Sequence, residues 1–137
     1  MNPYGGTEIQ VEYLYKYVSE ELLNKVQITT SVPEKDKLVI NKSNVLWVHN
    51  SYDQPNVMPW FKNKLNHGKY DHYIFNSHWT YEKFRYFFSL PTELCSVIKN
   101  GFDDDLIIKN DFKHKDKIKL VYTSTPWRGL DVLLDAM

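Results

Sequence analysis

The sequence lacks most of the features that mark a specialised protein, and each absence excludes something. Of 137 residues one is a cysteine, Cys95. An internal disulfide is therefore excluded, and a reducing compartment fits. No apolar run approaches the ~20 residues that cross a bilayer. Met1 is followed directly by Asn-Pro-Tyr-Gly-Gly, which is not a leader peptide. No charge of one sign dominates, with 17 Lys plus Arg against 17 Asp plus Glu, so a basic surface for nucleic acid is unsupported. No G-x-G-x-x-G, Gly-Lys-Ser, Gly-Lys-Thr or Tyr-x-x-x-Lys occurs, which argues against dinucleotide oxidoreductases, epimerases and P-loop enzymes. His67, His72, His78 and His114 do not have zinc-site spacing with one another or with Cys95, so a metal is not expected. The expectation is a soluble cytoplasmic protein.

What is present suits a packed core: 42% apolar and 15% aromatic residues. Residues 1–6 form a loop with Pro3, Gly5 and Gly6 as breakers. Thr7 to Gln10 fits a capping box, and a helix to about Leu23 should bury Ile9, Tyr13, Leu14, Tyr17, Val18 and Leu22. Val26, Ile28, Thr30 and Val32 alternate as in a strand. Leu38 to Ile40 suits a short strand or a loop packed on the sheet. Val45 to Val48 is a continuous apolar run, the mark of a parallel strand covered on both faces. A polar loop from Ser51 to Trp60 precedes a short helix, Phe61 to Asn66, with Gly68 as its cap. A strand from Asp71 to Asn76 leads to a helix capped by Ser77, whose Trp79, Phe84, Phe87 and Phe88 should be core. Leu94 to Ile98 is a further strand. Asp103 to Asp105 can cap a brief helical turn. Ile118 to Thr123 reads as one more strand, followed by the turn Ser124 to Gly129 and an apolar helix from Leu130.

Alternating strands and helices predict an α/β fold with a parallel sheet. Ligands of such sheets lie beyond the carboxyl ends of the strands. That rule selects His49 and Asn50, Asn76 and Ser77, Asn100 and Gly101, and Ser124 to Arg128. Gly5-Gly6 before a capped helix would offer backbone N–H groups to an anion, although two glycines also suit an ordinary loop. Arg128, in a hydroxyl-rich strand-to-helix turn, has a fork suited to a diphosphate.

In this order the motifs resemble those of the family 4 glycosyltransferases, enzymes of the two-domain GT-B fold. The matching pieces are Tyr4-Gly-Gly-Thr-Glu8, Leu46-Trp-Val-His-Asn50, Phe75-Asn-Ser-His-Trp79, Val97-Ile-Lys-Asn-Gly-Phe-Asp103 and Val121 to Leu130. The resemblance implies a Rossmann-like N-terminal, acceptor-side domain over residues 1–111. Residues 112–137 would begin the donor-binding domain. It implies retaining, metal-independent sugar transfer from a nucleotide-sugar, with no cofactor beyond that substrate. His49 and Arg128 would be catalytic. Gly5, Gly6, Ser124 and Arg128 would face the donor phosphates. Asn50, Tyr52 and Asp53 would lie on the side of a saccharide, lipid or other acceptor. The family usually has an Arg followed by a Lys in the second-domain loop, and here Arg128 stands in the lysine-like place.

Relative to that pattern the first strand and most of the donor domain are missing, which predicts a shortened chain with little activity alone. The alternative is a non-catalytic sugar- or phosphate-binding or interaction module. Peripheral membrane contact and a homo-oligomer are compatible with either reading.

Overall fold

The computed structural model describes residues 5–103, Tyr122 and residues 129–137. The chain divides into two compact units, Met1–Asp104 and Asp105–Met137. In the first, helices α1 (Gly6–Tyr17) and α2 (Glu20–Lys25) precede strand β1 (Val26–Thr30). Strand β2 (Ser43–Val48), helix α3 (Met58–Lys62), strand β3 (His72–Phe75), helix α4 (His78–Phe88) and strand β4 (Cys95–Val97) follow. Among the described residues these strands form one all-parallel sheet in the order β1-β2-β3-β4. The α/β architecture expected from the sequence is therefore present, and it is Rossmann-like.

Register fixes what each face carries. Thr29, Leu46 and Tyr73 are neighbours across the strands, as are Val48, Phe75 and Val97. Alternation along each strand puts them on one face, where Leu46, Val48, Tyr73 and Phe75 are almost fully buried. α3 and α4 cover this face with Trp60, Phe61, Phe84 and Phe88, and Tyr70 joins them from just after the 3-10 segment Lys64–Lys69. Phe61 is the hub. Its ring meets Phe84 edge-on at 4.7 Å, Phe88 at 5.5 Å and Tyr73 at 5.6 Å. Each such aromatic side chain contributes about 1.5–3 kcal/mol by burial. The opposite face carries Ile28, Thr30, Val45, Trp47, His72, Ile74 and Ser96; of these only Trp47 is buried.

Polar bonds set the strand starts. Asn44 N–H donates to Asp71 Oδ2 at 2.7 Å, and Asp71 N–H returns to the Asn44 carbonyl at 2.8 Å. The Asn44 amide also pins the preceding loop through Val39 and Lys42. That loop is not a strand, and its Ile40 is exposed. Ser77 caps α4 as expected, its Oγ accepting from Thr80 N–H at 3.1 Å.

Several local expectations are corrected. The single helix predicted to Leu23 is two, because Val18 and Ser19 are extended and Ser19 starts α2. The β-branched Val18 favours that break, and the Ser19 side chain makes no cap bond. α1 starts at Gly6 rather than after Thr7, and its buried residue is Gln10, not an apolar one. The short helix begins at Met58 because Pro59 is tolerated in a first turn. Gly68 lies inside the 3-10 segment and caps nothing. On α4, Phe84 and Phe88 are core, whereas Trp79 and Phe87 are about half exposed.

In the second unit, α5 (Leu130–Asp135) follows Gly129, whose φ of +96° is the conformation glycine favours. A side chain at Gly129 would meet nothing within 4 Å, so conformation rather than close approach accounts for the glycine. The predicted strand Ile118 to Thr123, apart from Tyr122, lies outside the described residues, as do Asp104 and Asp105 of the brief turn expected after Asp103.

Candidate functional site

The carboxyl edge of the sheet is assembled by β2, β3, the segment after β4 and the start of α1. His49 and Asn50 follow β2 directly, and both are half-buried. Asn76 and Ser77 follow β3, where Asn76 Oδ1 accepts from Thr80 Oγ1 at 3.4 Å. Asn76 and Ser77 are thereby occupied in capping α4.

α1 is fastened to the segment after β4 by side chains. Gln10 Nε2 donates to the Gly101 carbonyl at 2.8 Å, and Gly101 N–H donates to Gln10 Oε1 at 3.0 Å. Lys16 Nζ reaches Asp103 Oδ2 at 2.6 Å, and the Tyr17 hydroxyl donates to the same oxygen at 3.1 Å. The bond to Asp103, and then the neighbouring Tyr17 hydroxyl, raise the Lys16 pKa. At the other end of α1, Gly5 N–H donates to Glu8 Oε2 at 2.9 Å. The helix start is therefore held by a one-sided Gly5–Glu8 bond, two residues before the predicted capping box, because Gly5 has no side chain to return it. The carboxylate also meets the positive end of the helix.

His49 feels both its burial and this carboxylate. Burial lowers its pKa from the ordinary 6.5, and the Glu8 charge partly opposes that. The imidazole is therefore neutral near pH 7. Trp47 lies two residues earlier on the same sheet face, its ring centroid 4.7 Å from that of His49. Trp47 Nε1 and His49 Nε2 are both buried and, among the described residues, neither has a hydrogen-bond partner. Buried polar nitrogens without partners are rare in folded proteins. Thr29 Oγ1 and Trp60 Nε1 are buried without a partner as well.

The structure thus brings Gly5, Gly6 and His49 to the strand ends, through α1 and β2. Tyr52 and Asp53 diverge. Asp53 is exposed, while the Tyr52 ring stacks on Phe87 at 4.4 Å and 15° and meets Trp79 edge-on at 6.4 Å. Ser124 and Arg128 lie outside the described residues. Trp47 and Glu8 were missed by sequence reasoning. The signals were available: Trp47 and His49 are two apart on a strand, and Glu8 is three residues after Gly5.

A separate cavity of about 540 Å3 lies at the free edge of β1, lined by residues including Tyr15, Val18, Leu23, Ile28 and Lys42. It flanks the amino-terminal half of that strand, away from His49. Among the described residues no group of three His, Cys, Asp or Glu is placed to hold a metal ion. No described helix is long and apolar enough to cross a membrane. Comparison with known proteins finds no protein-family model, no curated protein and no solved structure that matches this chain.

Proposed function

We propose that the chain carries the acceptor-side half of a retaining, metal-independent GT-B glycosyltransferase, which moves a sugar from a nucleotide-sugar to an acceptor. The observation that carries this reading is the half-buried His49 at the carboxyl edge of a parallel strand, beside the glycine-led start of α1. In this reading His49 orients the transferred sugar through its hydroxyls. Gly5 and Gly6 line the donor side. Ser124 and Arg128 hold the diphosphate, and the guanidinium stabilises charge on the leaving group. Asn50, Tyr52 and Asp53 lead from β2 towards the acceptor. The ordered motif set from Gly5 to Arg128 supports the same reading.

The test is turnover of a panel of nucleotide-sugars, followed by nucleotide release, with the chain as given and with a form extended at both ends. Release by the extended form that His49→Ala and Arg128→Ala abolish supports the proposal. Release that is indifferent to both substitutions, or no release by either form with any donor, refutes it.

A further inference from the structure

α4 buries Phe84 and Phe88 against the sheet, and such a helix ordinarily turns a polar face outward. The outward face of α4 is aromatic instead. Trp79, then Glu82 and Lys83, then Tyr86 and Phe87 follow one another at helical spacing and share one stripe. Trp79 is 56% exposed, Tyr86 83% and Phe87 51%. Aromatic side chains carry about 150–250 Å2 each, so these three show roughly 400 Å2. Their rings form one patch. Tyr86 meets Phe87 edge-on at 5.2 Å, and Tyr52 links Phe87, at 4.4 Å, to Trp79, at 6.4 Å. A patch of this size on a monomer is often an interaction site. Its middle holds one charge of each sign: Glu82 is exposed, and Lys83 Nζ lies over the Trp79 ring at 5.6 Å.

That order is self-complementary. In an isologous pair residue i meets j and j meets i. Two α4 helices packed antiparallel about a two-fold axis between residues 82 and 83 bring Glu82 to the partner's Lys83 and Trp79 to the partner's Tyr86, each contact made twice. We propose that this face of α4 pairs with the same face of a second copy of the chain, with the rings supplying the apolar contact and the Glu82–Lys83 order setting the register. A lipid surface suits the patch less well. Glu82 offsets Lys83, and the other cation of α4, Arg85, lies over Tyr81 at 5.4 Å, off the stripe, whereas interfacial helices gather cations on their polar face. Two such patches hide roughly 800 Å2, less than the ~1,200 Å2 of a stable complex, so the pair is weak and forms as concentration rises. It stands whether or not the chain transfers a sugar.

The experiment is sedimentation equilibrium of the chain over roughly the micromolar to millimolar range. The expected result is a monomer–dimer equilibrium, with amide shifts on dilution confined to α4 and the loop that carries Tyr52. Tyr86→Ser, at a position outside the core, should weaken pairing about tenfold or more. Glu82→Lys and Lys83→Glu should each do the same, because each sets like charges face to face. Mixing these two variants should restore pairing, since every charge then meets its opposite. A chain that stays monomeric throughout overturns the proposal, as does a dimer indifferent to Tyr86→Ser or a mixture that pairs no better than its components. Circular dichroism checks that each variant is folded, and either charge reversal serves if the other is not. Flotation with phosphatidylcholine vesicles, with and without phosphatidylglycerol, tests the competing occupant. Vesicle binding by a chain that remains monomeric overturns the pairing and assigns the patch to a lipid surface.

Discussion

Replacing Gln10 by leucine should loosen α1 while leaving the sheet intact. Gln10 is 8% exposed and makes two hydrogen bonds to the Gly101 backbone, 91 residues along the chain. The apolar residues of α1 do not share that burial: Ile9, Val11, Tyr13 and Leu14 are half-buried, and Tyr15 and Tyr17 are exposed. Two neutral hydrogen bonds are together worth about 1–3 kcal/mol. Gly101 is itself exposed, so its freed groups recover water, and the loss falls at about 1–2 kcal/mol. The Lys16–Asp103 pair survives the substitution, but Lys16 is 55% exposed and the pair contributes ~0–1 kcal/mol. Native-state hydrogen exchange reads the effect locally. Amides of α1 should exchange about 5–30-fold faster, the factor that corresponds to this loss. Amides of β2 and β3 should keep their protection. Unchanged protection in α1 would refute the anchoring role. An equal loss across the sheet would show instead that Gln10 belongs to the global core.

Phe61→Ala removes the hub of the aromatic core and should cost about 3–5 kcal/mol, read as a lower urea midpoint; a loss under ~1.5 kcal/mol would contradict the packing described. His49 should titrate below 6.5 by histidine-ring NMR, and Glu8→Gln should lower it further because the charge that favours imidazolium is gone. With the folded pKa depressed, the His49 contribution to stability is complete above pH ~6.5 and is lost as pH falls through the folded value; a rise on Glu8→Gln would reverse the assignment. The Cys95 thiol donates to the Pro91 carbonyl at 3.1 Å, and burial pushes its pKa up to about 11 from 9.0. Thiolate should therefore be about a hundredfold scarcer than in a free thiol, and iodoacetamide should label Cys95 at near the free-thiol rate only after unfolding.

The strands were the legible part of this fold, and the helix ends were not. Val45 to Val48 is a continuous apolar run because one face meets the aromatic core and the other carries Trp47 beneath partial cover. Ser77 was legible because a hydroxyl cap is a local bond, made with Thr80 three residues on. The break at Val18 and Ser19 was hidden by apolar residues that continue the helical period through both helices. Half of the α4 aromatics were misjudged for a related reason. Periodicity shows that Trp79, Phe84, Phe87 and Phe88 recur, but not how wide a stripe the sheet can cover. Phe84 and Phe88 fill it, and Tyr52 covers part of Phe87 from the loop after β2. His49 was found from its place at a strand end. Trp47 looked like core, which it is by burial.

Glu8 changes how the glycine-led helix start should be understood. Read from sequence, Gly5 and Gly6 expose N–H groups and the positive end of a helix, an arrangement that welcomes phosphate. In the folded chain the first of those N–H groups already has an anion, because Glu8 accepts from it at 2.9 Å. A phosphate brought there must displace the carboxylate or lie beside it, and two unit charges 4 Å apart repel by ~1 kcal/mol even in bulk water. The penalty doubles for a doubly charged group. A neutral group meets no such opposition. In the proposed transferase the holding of a diphosphate would therefore fall to cations away from the start of α1, for which Arg128 is the candidate that the sequence offers.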